Sequence, residues 1–262
     1  MALVQGITEF LPVSSSAHLV LIPAVTGWTD QGLNIDIAAH LGSLAAVAVY
    51  FRSDVSSLAS GVMVAVLWKP DGNSRLALLL AVASVPTILV GAFLVALNTG
   101  SFRNAEIVAW ATLAGAIALL VADRMTLRTS TTQSMSIKHA ILIGLAQILA
   151  LIPGASRAGV TITAALLCGY DRREAARFSM LLSIPVVLAA SAFSAFQIAA
   201  RGEVALTYAA LISAALAFAA SYATITLMMQ WLRNASYMPF IVYRAILGIG
   251  LLWWLHGSGN FL

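Results

Sequence analysis

Gln5 and Glu9 stand four residues apart, the spacing that puts two side chains on one face of a helix. Three consecutive hydroxyls, Ser14, Ser15 and Ser16, follow Pro12, and His18 comes three residues after Ser15. A hydroxyl, an imidazole and a carboxylate in one short segment are the parts of an activated nucleophile. A second segment, Ile152-Pro153-Gly154-Ala155-Ser156-Arg157-Ala158-Gly159, sets an arginine beside a serine and between two glycines, with Thr161 one turn further on. Arginine offers a planar fork that binds phosphate through paired hydrogen bonds and stays charged at any working pH. Gly154 and Gly159 let backbone approach a ligand closely. Together the two segments point to binding of, or attack on, an anionic phosphorus centre.

Each set also has a plainer reading. Glu9 could reach water from the end of its segment, a Ser-x-x-His spacing arises by chance, and Arg157 could form a structural ion pair with Glu9 or Asp36. The surroundings weigh against the plain readings. The chain is 61% hydrophobic and 9% charged, where soluble domains carry about 25% charged residues, so it reads as an all-α polytopic membrane protein. Long continuous apolar runs exclude a β-barrel, whose strands alternate over ~10-residue segments. The lone Cys168 permits neither a disulfide nor a thiolate metal cluster. The net charge of +4 comes from cations scattered at the ends of apolar runs, not from a patch that would hold nucleic acid. No charged n-region with a cleavage site precedes the first motif, so no removable signal peptide is expected.

Six runs approach the ~20 residues that a membrane span needs: about 35–52, 76–98, 104–122, 174–198, 205–230 and 238–256. The two motif segments, 1–27 and 139–168, read differently. Each has an apolar stretch, a Pro/Ser/Gly break and another apolar stretch, the pattern of a re-entrant helix–loop–helix. Proline followed by small hydroxyls stops one helix and caps the next, presenting a helix N-terminus whose free N–H groups suit an anion. At that depth an unpaired carboxylate such as Glu9 costs about 2.5–3.5 kcal/mol and marks function by default.

Leu11-Pro12 through Ser15 recurs as Ile152-Pro153 through Ser156, and Gly27-Trp28-Thr29-Asp30 echoes Gly169-Tyr170-Asp171. The expected organisation is two inverted repeats, 1–122 and 139–262, each a re-entrant segment followed by three spans, joined by a polar cytoplasmic linker at 123–138. Setting aside Arg157 and Arg244, every cation except Arg103 and Arg201 falls on one face, which the positive-inside rule makes cytoplasmic. Both termini then face outward, and the two broken tips meet near the midplane from opposite sides. The stretch 53–75 is too broken to span, with Leu58–Trp68 along the interface. Arg244 is expected to pair or to snorkel to the cytoplasmic surface. Asp36 is expected at the outer end of its span, His40 in the core, and His139 and His256 in solvent. Gln147 is expected to satisfy backbone groups freed by the second break.

Gln5-Gly6-Ile7-Thr8-Glu9-Phe10-Leu11-Pro12-Val13-Ser14-Ser15-Ser16-Ala17-His18 and Pro153-Gly154-Ala155-Ser156-Arg157-Ala158-Gly159-Val160-Thr161 resemble the two signature motifs of the bacterial undecaprenyl-diphosphate phosphatase family, also called the bacitracin-resistance family. The similarity extends through Ile35–Val49 and Pro239-Phe240-Ile241-Val242-Tyr243-Arg244, and so covers nearly the whole chain. The resemblance implies an inner-membrane enzyme that hydrolyses the C55 isoprenoid diphosphate to its monophosphate and recycles the carrier lipid for peptidoglycan synthesis. It also implies re-entrant inverted repeats, an active site opening to the outer face and a divalent cation, Mg²⁺ or Ca²⁺, at Glu9. Carried over by position, Glu9 resembles the essential acid, Ser15 the nucleophile, His18 the motif histidine, and Ser156, Arg157 and Thr161 the phosphate-binding residues. Ser14, Ser16, Gly154 and Gln5 complete the expected binding set. Gln5 stands where many members have a second glutamate, and Ala158 where the family usually has serine. The expected partners are the polyprenyl diphosphate lipid and the bilayer, with no nucleic acid and a homodimer left open. A polyprenyl-phosphate carrier or flippase is the competing function, and direct attack by water competes with attack by Ser15.

Overall fold

A computed structural model describes residues 1–27, 32–66, 72–97, 104–125, 135–200 and 207–257. The elements are α1 (Ala2–Thr8), α2 (Ser15–Thr26), α3 (Leu33–Tyr50), α4 (Arg52–Val66), α5 (Gly72–Ala96), α6 (Ala105–Met125), α7 (Ile137–Gln147), a 3₁₀ turn (Ile148–Leu151), α8 (Arg157–Leu167), α9 (Arg172–Ala200), α10 (Tyr208–Trp231) and α11 (Met238–Gly257). Six are long and apolar enough to cross a membrane: α3, α5 from Arg75, α6, α9, α10 and α11. They correspond to the six expected runs. The protein is a polytopic helical membrane protein, and its lipid-facing surface is apolar, with Leu89, Phe93, Phe196 and Trp253 all more than 60% exposed.

The two motif segments each form two short helices around a break: α1 and α2 about residues 9–14, and α7 with its 3₁₀ turn and α8 about residues 152–156. The halves exchange packing partners. α1 packs on α10 as α7 packs on α5, and α8 lies on α6 while the His18 ring of α2 stacks on Tyr243 of α11. Small residues make these approaches possible, as is usual where lipid supplies no hydrophobic drive between helices. A Cβ on Gly6 would meet the Ala217 carbonyl at 2.6 Å, and one on Gly144 the Ala83 carbonyl at 2.5 Å.

One end of the bundle is tied by ions. Arg172 binds Asp123 through both Nε and a terminal nitrogen, and Arg177 bridges Asp54 at 2.5 Å and Glu174 at 3.1 Å. Beside them lies the main apolar core, with Phe178, Leu182, Leu119, Ile143 and Tyr237.

Boundaries differ from the sequence reading in two places. The linker expected at 123–138 begins later, because α6 continues to Met125, and ends earlier, because Ser136 caps α7 by accepting from the His139 N–H. The helix expected to begin at Leu58 starts at Arg52. Trp68, Lys69, Arg103, Arg128, Arg201 and much of the Gly27–Asp30 echo lie outside the described residues.

Candidate active site

Both breaks end on a serine in the left-handed region, Ser14 at φ 73° and Ser156 at φ 69°, a conformation that costs about 1–3 kcal/mol for a residue with a side chain. Each then caps the helix that follows. Ser14 Oγ accepts from the Ala17 N–H at 3.3 Å, and Ser156 Oγ accepts from the Gly159 N–H at 3.1 Å. The equivalent residues are therefore Ser14 and Ser156, which corrects the pairing of Ser15 with Ser156: the second break holds one residue more between proline and cap. In consequence the first helical residue is Ser15 after one break and Arg157 after the other.

Glu9, at the C-terminal cap of α1, collects both. Its Oε2 accepts from Ser15 Oγ at 2.8 Å and from Gln5 Nε2 at 2.7 Å, while Oε1 lies 3.4 Å from an Arg157 terminal nitrogen. The Glu9 side chain is 9% exposed and that of Arg157 13%. Arg157 also donates to the Ser179 carbonyl at 3.1 Å, and its Nε is buried without a hydrogen-bond partner. The ion pair weighed as a structural alternative is thus present, and it sits on a cavity of about 620 Å³. The lining includes Glu9, Ser15, Ser16, Ser156 and Arg157, with Asp36 and His40 from α3 and Val187, Ala190 and Ser194 from α9.

Arg244 fixes the relation of the two breaks. It is fully buried on α11 and donates to Pro12 O of the first break at 3.4 Å, to Gly154 O and Ala155 O of the second at 3.2 and 3.0 Å, and to Thr112 O of α6 at 3.2 Å. A Cβ on Gly159 would lie 2.5 Å from its guanidinium, so only glycine leaves room there. The expectation that Arg244 pairs or snorkels to the cytoplasmic surface is corrected: its partners are backbone carbonyl oxygens of the two breaks and of α6.

The bacitracin resistance protein BacA family profile matches residues 1–250. This chain belongs to that family. It is 47% identical over 256 residues to the undecaprenyl-diphosphatase of Maricaulis maris, covering 96% of each chain. It is 44% identical to the undecaprenyl-diphosphatase of Roseobacter denitrificans, covering 96% of this chain and 95% of the relative. Against that of Alteromonas mediterranea the identity is 39%, with 97% and 96% covered.

The bacitracin-resistance fold brings some of the expected residues together and sends others elsewhere. Glu9, Ser15, Ser16, Ser156 and Arg157 share the cavity, and Gln5 supports Glu9 from behind. Ser16 accepts from the Gly154 N–H at 3.4 Å, joining the breaks directly. Gly154, at φ 94°, gives its carbonyl to Arg244 and to Thr112 Oγ1. Thr161 is buried against α9, donating to Arg157 O at 2.8 Å and bonding Ser179 Oγ at 2.6 Å, so it holds the arginine's helix rather than lining the cavity. His18 does not meet Ser15. Its Nδ1 lies 2.7 Å from the Ser14 carbonyl and its Nε2 2.5 Å from the Tyr243 hydroxyl, which uses both ring nitrogens. His139, expected in solvent, is half-buried and bonds the Tyr170 hydroxyl at 2.7 Å, and Gln147 reaches Thr87 on α5 at 3.2 Å instead of the second break. Asp36 and His40 belong to the cavity, a role that their four-residue spacing on the first span could have signalled.

Proposed function

We propose that this protein is an integral membrane phosphatase that hydrolyses undecaprenyl diphosphate to undecaprenyl phosphate and inorganic phosphate. The single observation that carries the mechanism is the meeting of Glu9, Ser15 and Arg157, from two breaks 140 or more residues apart in sequence, at one cavity. Phosphoryl transfer asks little covalent chemistry of a protein and much positioning and charge stabilisation. Ser15 Oγ attacks the terminal phosphorus while its proton passes to Glu9 Oε2, already 2.8 Å away. The bond from phosphorus to the bridging oxygen breaks, and its electron pair leaves with undecaprenyl phosphate. Arg157 faces the phosphoryl oxygens. Water then attacks the phosphoserine, phosphate departs, and Glu9 returns the proton to Ser15. His18 acts as a positioning residue, since its bonds to Ser14 and Tyr243 fix the start of α2.

A divalent cation, Mg²⁺ or Ca²⁺, would be held at Glu9. Among the described residues no three ligating side chains cluster closely enough to cage a metal. Mg²⁺ needs no such cage, because it retains water and binds through one or two protein oxygens plus substrate phosphates. Glu9 and the Gln5 Oε1, buried without a hydrogen-bond partner, fit that limited role. Once bound, the cation would offset the charge of the diphosphate. The apolar and small residues of the α9 wall, Val187 and Ala190, suit the first isoprene units.

The setting is the bacterial plasma membrane, with the cavity opening outward. The support is positional: Leu33 at the start of α3 and Ser194 near the end of α9 line the cavity, whereas Arg172 and Arg177 crowd the opposite end of α9, the end that the positive-inside rule assigns to the cytoplasm. The exchanged packing of the halves supports an inverted duplication. Such an architecture also suits a lipid carrier. Phosphate release from undecaprenyl diphosphate by the purified protein in detergent, where no two-sided membrane exists, tests the reading: release is the expected result, and absence of release with lipid transfer retained in vesicles would favour the carrier. Size-exclusion with light scattering decides between monomer and homodimer.

A further inference from the structure

The cavity has a second polar wall, on α3, that the mechanism above leaves unused. His40 lines it beside Asp36 and Ile37. The His40 Nδ1 lies 2.8 Å from the Asp36 carbonyl oxygen. A carbonyl can only accept, so Nδ1 carries the hydrogen and the other ring nitrogen, Nε2, is the one free to engage a ligand. His18 makes the same internal bond but spends its Nε2 on Tyr243. The His40 Nε2 makes no hydrogen bond among the described residues, and His40 lines the same cavity as Glu9.

Charge makes the same point. Among the described residues that line the cavity, the side chains that can be positive are Arg157 and His40, against Glu9 and Asp36. Arg157 already spends one terminal nitrogen on Ser179 and the other on Glu9. A diphosphate presents two phosphate groups, more than that partly engaged guanidinium can cover.

We infer that His40 is a further substrate-contacting residue, its Nε2 sharing one proton with an oxygen of the diphosphate, so that the two phosphates are held from two walls, by Arg157 on α8 and by His40 on α3. The proton comes from the imidazolium or from the P–OH of the substrate itself, and no bond to phosphorus changes in this contact. The inference rests on the reading that the cavity takes a lipid diphosphate.

The test measures phosphate release from undecaprenyl diphosphate by the purified full chain in detergent, with inorganic pyrophosphate as competitor, for the parent, His40→Ala and His40→Gln. For His40→Ala the expected result is a KM raised about tenfold or more, pyrophosphate inhibition weakened in the same proportion, and a smaller change in kcat. His40→Gln, whose side-chain amide can still donate, is expected to recover both to within about threefold of the parent. KM and pyrophosphate inhibition both within about twofold of the parent in His40→Ala would overturn the assignment, as would a His40→Gln variant as impaired as His40→Ala. If His40→Ala fails to elute as a folded species, the ¹⁵N resonance of His40 Nε2 in the parent decides: a shift on adding pyrophosphate is expected, and an unmoved resonance contradicts the contact. A parent that releases no phosphate would count against the phosphatase reading instead, and the resonance would still report whether the cavity binds a diphosphate.

Discussion

The two helix breaks share a scaffold and differ in chemistry. Each turns through proline to a left-handed serine that caps the next helix, and Arg244 takes one carbonyl oxygen from the first break and two from the second. Yet the residue directly after the cap is Ser15 in one and Arg157 in the other, and only the first break has a carboxylate, Glu9, at the end of its leading helix. In the proposed mechanism one motif brings nucleophile and base, and the other brings the cation. The difference teaches that the cap geometry is a shared means of placing one side chain at the cavity, while the identity of that side chain divides the labour.

That division is broken most severely at Arg157. Arg157→Ala removes a cation from the cavity and leaves Glu9 buried without its partner, and phosphate release is expected to fall by about 10³-fold, in the range found when a preorganised charge stabiliser is lost. Arg157→Lys keeps charge but not the fork and should recover only part. Next comes the shared clamp. Arg244→Met strips several buried carbonyls of their donor, each costing about 1–3 kcal/mol, and thermal unfolding in detergent should show a large loss of stability together with loss of activity. Comparing the two caps sharpens the account. Ser14→Ala and Ser156→Ala should each cost about 1 kcal/mol and shift the melting temperature alike, whereas Ser15→Ala should leave stability near that of the parent and abolish turnover. Substantial turnover in Ser15→Ala would favour direct attack by water. The smallest effect is expected for Tyr243→Phe, which removes the hydroxyl partner of His18 Nε2 at a cost of about 0.5–1.5 kcal/mol and should change activity only a few-fold.

The elements were far more legible in the sequence than the contacts between them. Six spans and two broken segments follow from apolar run length and from Pro12 and Pro153, which are local properties. Glu9, Ser15 and Arg157 were readable because an ionisable or nucleophilic side chain beside a break in an apolar segment needs a reason to be there. His18 misled: Ser15 and His18 do share α2, but an i, i+3 spacing places two residues on one helix face without fixing which way each side chain turns. Ser15 turns to Glu9, while the His18 ring turns back to the Ser14 carbonyl and across to Tyr243, 225 residues away in the chain. Arg244 was misread for a related reason. No local pattern announces that the carbonyls of two distant breaks converge on α11, although an arginine seven residues into an apolar span was itself a signal. Thr161 and His40 exchanged places, one drawn to Ser179 and the other turned to the cavity, because helix rotation within the bundle is set by packing such as Gly42 on α10 and not by the span's own sequence.

The most direct test of the central claim, that the two breaks build one catalytic unit, is a double-mutant cycle on phosphate release from undecaprenyl diphosphate with Glu9→Gln, Arg157→Ala and the pair. Residues that act together are non-additive, so each single change should cost about 10³-fold or more and the pair little beyond the worse single. Two single losses that multiply in the double variant, or a single variant within about tenfold of the parent, would contradict it.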